Sequence, residues 1–234
     1  MEGWLTQFSA TEEFEAKPRH LLAKLPVLPH QWKVSLKLKP TSLGRDLQDL
    51  VNVIFLSNGP SNFNKRFSAL GIWLHGNLGV KITSGVNTPH FSKWFGGVGS
   101  WENGEFNGPL AKKLRNGEEW VDIQISQEFV TILGKMVCGY RDCSRTEEKK
   151  LMYRVTIDGV EELSVENKTP QLFENVKLYT GFSISTFHGK IKELTIKIKE
   201  DDLIKYRLTK IKNHYSKEPP AGELYALGPS FKQT

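Results

Sequence analysis

Gln31-Trp32-Lys33-Val34-Ser35-Leu36-Lys37-Leu38-Lys39-Pro40 decides the fold class. On an extended chain Trp32, Val34, Leu36 and Leu38 fall on one side, and Lys33, Ser35, Lys37 and Lys39 on the other. Successive strand side chains point to opposite faces, so this period of two predicts a half-buried strand that stops at a proline. The pattern repeats along the chain. Val121, Ile123 and Ile125 alternate with Trp120, Asp122 and Gln124. Ile72 and Leu74 alternate with Trp73 and His75. Val51 to Leu56 is apolar except for Asn52, as for a strand buried on both faces. Further strands are predicted over 79–83, 129–137, 151–157, 176–182 and 194–198. Turn signals separate them at Ser57-Asn58-Gly59-Pro60, Asn116-Gly117 and Asp158-Gly159.

Helical signals are confined to the ends. Ser9 to Glu12 has capping-box spacing. Asp201-Asp202 can start a short helix with Ile204, Leu208, Ile211 and Tyr215 on one face; a strand is the alternative there. Lys217 to Thr234, with Pro219-Pro220, reads as an extended tail. Many strands without helices between them predict an all-β, two-sheet antiparallel jelly-roll sandwich with short helical or extended terminal segments. The expected division is an N-terminal segment over 1–24, a sandwich over 25–200, and a basic segment with a Pro/Gly tail over 201–234.

The 234 residues are 38% hydrophobic and 25% charged, which excludes collagen-like and wholly disordered classes. No window is apolar enough for a transmembrane helix. Met1 to Glu15 holds no apolar run of signal-peptide length, so the expectation is either no secretion or a mature chain. The net charge is +6, and nine Lys/Arg against four acids between Lys190 and Lys217 supply nearly all of it. Such a patch suits an acidic or sulfated polysaccharide, a phospholipid or an acidic partner surface; the alternative is a solubilising edge strand and tail. Cys138 and Cys143 could close a hairpin by a disulfide, which would imply an oxidising, extracellular compartment; two free loop thiols are the alternative. Asn167-Lys168-Thr169 is the one glycosylation sequon.

The order of several fragments resembles a known family. These are Gln31–Pro40, Asn52–Leu56, Leu70–His75, Trp120–Ile125, Tyr153–Gly159, Phe173–Tyr179 and Gly189–Ile196. Together they resemble the concanavalin A-like lectin/glucanase superfamily, particularly its laminin-G-like and pentraxin-like branches. In that superfamily a tryptophan strand precedes one ending in an Ile-Asp-Gly turn, as at Ile157-Asp158-Gly159. A late Gly-x-Ile-x-x-Leu strand then closes the sheet, as at Gly189 to Leu194. The resemblance covers residues 25 to 200 and implies a curved jelly roll whose usual work is glycan or protein binding.

Glucanases of the superfamily carry Glu-x-Asp-x-(x)-Glu on one strand, which sets two carboxylates on one face at the separation glycoside hydrolysis needs. Glu119 and Asp122 are three apart and face opposite ways, and Glu161 and Glu162 are adjacent, so no enzyme is expected. There is no nucleophile elbow or P-loop, and the six histidines lack ligand spacing. No cofactor is expected. A calcium site would fall to loop residues such as Asn58, Asn62, Asn64, Asn77, Asn87 and Asn103, which bring no charge.

The segment from Phe91 to Gly108 concentrates Phe91, Trp94, Phe95, Trp101 and Phe106 among glycines. It suits a sugar platform, with Glu102 and Asn103 bonding hydroxyls and indoles stacking on C–H faces; a loop pinned to the core is the alternative. Trp73, His75, Asn77 and Trp120 could complete the site; cross-strand packing pairs are the alternative for Trp73, His75 and Trp120. The expected function is therefore non-enzymatic, lectin-like binding of a glycan or glycoprotein. The alternative is a structural protein whose sandwich and termini assemble a homo-oligomer. Nucleic acid is not an expected partner, since no module motif occurs.

Overall fold

The computed structural model describes residues 3–41, 50–59, 68–75, 79–87, 91–95, 101–102, 105–106, 109–138, 143–181 and 187–215. Among them the chain forms β1 (Trp4–Ala10), β2 (Phe14–Glu15), β3 (His20–Leu28), β4 (Trp32–Pro40), β5 (Val51–Ser57), β6 (Ser68–His75), β7 (Gly79–Ser84) and β8 (Phe91–Phe95). Two short strands, β9 (Trp101–Glu102) and β10 (Glu105–Phe106), precede helix α1 (Pro109–Asn116). Then follow β11 (Val121–Cys138), β12 (Cys143–Ile157), β13 (Val160–Glu166), β14 (Phe173–Thr180), β15 (Gly189–Lys199) and helix α2 (Glu200–Tyr215).

Two antiparallel sheets face each other, as the alternation predicts. The first has the order β1-β15-β4-β11-β12-β13, with β2 also on β15. The second has the order β3-β14-β5-β6-β7-β8. The first half of each alternating strand pair makes the core: Trp32, Val34, Leu36 and Leu38 from β4 meet Ile54, Leu56, Ile72 and Leu74 from the second sheet in one buried cluster. Lys33, Ser35, Lys37 and Lys39 are thereby left on the outer face of the first sheet, half-buried among their neighbours.

Several expectations are corrected in detail. The capping-box reading of Ser9 to Glu12 fails, because Ser9 pairs with Thr195 and Ala10 with Leu194 in a strand. Tertiary pairing overrides a local signal whose isolated worth is small. The segment 1–24 contributes β1, β2 and part of β3 to the two sheets. Pro26 hides β3 from any alternation pattern; β3 is the edge of the second sheet, where a missing N–H costs nothing on the unpaired side. Helical structure is not confined to the ends either. Asn116-Gly117 closes α1 rather than a hairpin: Gly117 adopts φ 63 and donates its N–H to the Lys113 carbonyl at 3.3 Å. Pro109 starts that helix, and Leu110, Ala111 and Leu114 bury its inner face. By contrast Asp158-Gly159 is the expected hairpin turn, with φ 49 and 80.

The predicted strands at 120–126 and 129–137 are one strand, β11, which outruns the sandwich. β4 accompanies it only as far as Gln127, whereas β12 pairs with it to the end. At that end Cys138 lies opposite Cys143, their Cα atoms 4.0 Å apart, joined by a disulfide, the first of the two alternatives left open by the sequence. α2 is the helix rather than the strand of the two alternatives, but the stripe is inverted. Leu203 and Tyr206 pack on the core, while Ile204, Leu208 and Ile211 are exposed.

Candidate functional site

The sequence-predicted site residues divide between opposite sides of the sandwich. On the outer face of the second sheet, β6, β7 and β8 place Trp73 opposite Lys81 and Lys81 opposite Trp94. Trp94 is 38% exposed, meets the His75 ring edge-on at 6.0 Å, and carries the Lys81 ammonium 5.2 Å above its ring. Trp73 is not free to meet a ligand. It is buried, lies edge-to-face with Phe55 at 6.2 Å, and donates Nε1–H to Thr83 Oγ1 at 3.3 Å. Gly71 makes this packing possible, since a Cβ there would stand 2.7 Å from Trp73 Nε1 and 2.6 Å from Thr83 Oγ1. Trp120 sits on the other side of the molecule, on the first sheet, under the Lys192 ammonium at 4.3 Å. Asn77 and Asn103 lie outside the described residues, as do the side chains of Trp101 and Glu102. The described residues therefore do not share one aromatic platform: Trp73 and Trp94 stand on the second sheet, and Trp120, just before β11, stands beside the first.

The outer face of the first sheet carries the larger constellation. A groove of about 390 Å³ runs over β15, β4, β11 and β12, lined by Ser35, Gln124, Ser126, Thr156 and Thr195, with the cations Lys33, Lys197 and Arg154 and the carboxylates Glu128 and Glu161 among them. A smaller depression of about 190 Å³ continues it past Lys37, Asp122 and Glu193. The Ser35 and Thr195 hydroxyls lie 2.7 Å apart across the strands. Small-molecule pockets are mainly apolar; a groove floored by hydroxyls and amides suits a ligand that is itself a carpet of hydroxyls. A sequence signal for this groove exists in the polar face of β4 and β11, but nothing local shows that β15 and β12 complete it.

Electrostatics follow from the register. β15 and β4 set Lys190 opposite Lys39, Lys192 opposite Lys37, and Lys197 opposite Lys33. A bulge after Lys192 holds Glu193 at φ 53 and turns its carboxylate to Lys37, 2.6 Å away. That hydrogen bond raises the Lys37 pKa and lowers that of Glu193. Lys190 is raised in the same way by its bond to Glu13. Glu128 pairs with Lys33 at 3.0 Å. Arg154 Nε is buried without a hydrogen bond, 3.6 Å from Glu161.

Asn167, the sequon residue, is 4% exposed. Its Nδ2 donates to Gln127 Oε1 at 2.7 Å, and its Oδ1 accepts from the backbone N–H groups of Asn87 and Thr169 at 3.1 and 3.2 Å. It ties β11 to two loops, and that use of both amide ends corrects its reading as a glycan acceptor. Of the calcium candidates, Asn62, Asn64, Asn77 and Asn103 lie outside the described residues. Asn87 spends its side chain on Glu166 and Lys168 backbone. Among the described residues no group of three or more His, Cys, Asp or Glu is placed to hold a metal, and no helix is long and apolar enough to cross a membrane.

No protein-family model matches the chain, and no curated protein does. Among solved structures it is similar to a botulinum neurotoxin type G receptor-binding domain, at 11% identity and TM-score 0.43, over 88% of this chain and 44% of that one. A serotype D binding domain gives 12% and 0.42, over 89% and 42%. An alginate lyase from Chlorella virus gives 12% and 0.37, over 84% and 91%. The chain spans less than half the length of the toxin domains it matches. Likenesses at this level leave function to be argued from the residues of the chain itself.

Proposed function

We propose that this chain is a non-enzymatic binding module of concanavalin A-like architecture that takes a glycan along the outer face of the first sheet. The observation that carries the reading is the hydroxyl- and amide-lined groove over β15, β4, β11 and β12. An extended sugar chain can exchange its water contacts for Ser35, Thr195, Gln124 and Thr156 without burying unpaired polar groups. The carboxylates support binding rather than turnover. A general acid needs a raised pKa, yet Glu193 is lowered by Lys37, and Glu128 and Glu161 face cations. The disulfide supports an extracellular or otherwise oxidising setting. A glycan array tests the reading. Binding that is lost in Gln124→Ala/Thr195→Ala, with the fold intact by circular dichroism, upholds it. Binding lost instead in Trp94→Ala moves the site to the second sheet, and turnover of an oligosaccharide refutes the non-enzymatic part.

A second reading, assembly of copies of this chain, is favoured by exposed apolar side chains beyond the sandwich. Ile204, Leu208 and Ile211 line one side of α2, and Phe129, Leu133 and Met136 stand on the β11–β12 ribbon. Sedimentation equilibrium distinguishes it: a dimer or larger that Leu133→Lys or Leu208→Lys dissociates supports assembly, and a monomer at high concentration refutes it.

A further inference from the structure

The lysines of β4 and β15 are arranged in a way that stability alone does not explain. Three of four successive outward rungs bring lysine directly opposite lysine: Lys190 and Lys39, Lys192 and Lys37, Lys197 and Lys33. Like charges directly across a sheet are destabilising. Edge protection does not account for them, because β15 lies between β1 and β4, and β4 between β15 and β11. The hydroxyl pair of Ser35 and Thr195 lies between the rungs. Carboxylates relieve only some of the charge: Glu193 takes Lys37, Glu13 takes Lys190, and Glu128 takes Lys33. Lys192 and Lys199 lie over indoles, of Trp120 and Trp4. Lys39 and Lys197 have no ion-pair partner among the described residues. Arg154 lines the same groove as Lys197, with the Glu161 carboxylate 3.6 Å from its Nε. A backbone bulge with a positive-φ glutamate sits in the middle of the ladder, and strain of that kind concentrates where a surface is shaped for use.

We infer that the ligand of this face is an acidic polysaccharide, whose carboxylate or sulfate groups lie between the lysines of β4 and β15 and replace the missing counter-charges; the inference rests on the glycan reading above. Alternating cations and hydroxyls match a polymer that alternates anionic groups with sugar hydroxyls. Nucleic acid fits less well, since the Trp4 and Trp120 rings that flank the ladder already carry lysine ammonium groups where a base would stack.

The test is binding of the full chain to dextran sulfate, polygalacturonate, neutral dextran and a 20-base-pair DNA duplex by affinity electrophoresis and calorimetry. Both acidic polysaccharides should bind, and raising NaCl fourfold should weaken them by about tenfold, because two or more charges are neutralised. Lys39→Glu/Lys197→Glu should reduce that binding by about tenfold or more while its melting temperature stays unchanged or rises, since each change turns a repulsive rung into an attractive one. Glu193→Gln should bind more tightly than the parent. Equal, salt-insensitive binding of neutral dextran would overturn the acidic ligand and leave the glycan reading standing. Binding of DNA alone, or undiminished polysaccharide binding in the double variant, would overturn the ladder. Failure of all four polymers, together with an empty glycan array, would overturn both.

Discussion

Gly71 shows how a single residue holds the outer aromatic cluster of the second sheet. It lies in β6 where Trp73 folds back over its own strand, and a methyl group would reach within 3.2 Å of Phe55 as well as crowding Thr83 and Trp73. Gly71→Ala is therefore expected to cost about 1–3 kcal/mol in thermal or denaturant unfolding. Asn167 has a comparable position among polar groups. Asn167→Ala would leave Gln127 Oε1 unpaired at a buried site and remove the acceptor of two half-buried backbone N–H groups, and the expected loss is again about 1–3 kcal/mol. Thr169→Ala destroys the sequon without touching that network and should leave stability and electrophoretic mobility unchanged. At the surface, the Glu193 carboxyl titrates below its ordinary value of 4.5 because Lys37 bonds its ionised form. Its contribution is fully present above pH 4.5 and is lost as the pH falls through the lower, folded value. NMR titration should show Glu193 returning to the ordinary range in Lys37→Gln.

Among the elements, the β11–β12 ribbon stands apart. Its register runs from Ile123 opposite Ile157 to Cys138 opposite Cys143, yet β4 and β13 flank only the part nearest the sandwich. A two-stranded ribbon is marginal in water by itself, and Leu133 and Met136 are each 61% exposed on this one. The disulfide at its end closes a short loop, for which chain entropy gives about 2 kcal/mol. Because neither β4 nor β13 flanks the outer ribbon, that contribution falls on the ribbon's own opening, and Cys138→Ser/Cys143→Ser should leave the melting of the sandwich nearly unchanged. Amide exchange over the outer ribbon should accelerate by about tenfold or more, as read by mass spectrometry. The alternation of 129–137 was plain enough to mark a strand. Its continuity with 121–126 was not, because Gln127 and Glu128 break the apolar pattern. Gln127 is buried for a reason outside its strand: it bonds the His30 carbonyl at 2.6 Å and Asn167.

On the scale of the whole molecule, each sheet is completed by pairings between the ends of the chain: β1 and β2 with β15 in the first, β3 with β14 in the second. β1 lines the outer edge of β15, with Phe8 packed against the core. Removing residues 1–15 should strip that edge bare. The expected result is a loss of about 3 kcal/mol or more, equivalent to about 6–12 °C in the melting midpoint, with aggregation visible by light scattering. Unchanged melting would show that the sandwich is complete without β1 and β2. The sequence by itself determined that the chain is a two-sheet antiparallel sandwich, because side-chain alternation is a local property that each strand carries with it. It determined equally the Asp158-Gly159 turn and the closeness of the cysteines, whose cause lies within a few residues. Only the tertiary structure decided which strands are neighbours. That choice buried Trp73, engaged Asn167, parted Trp120 from Trp94 and laid the lysines of β4 beside those of β15. Pairing between strands some 160 residues apart is set by the summed packing of both sheets, and no single segment contains that sum.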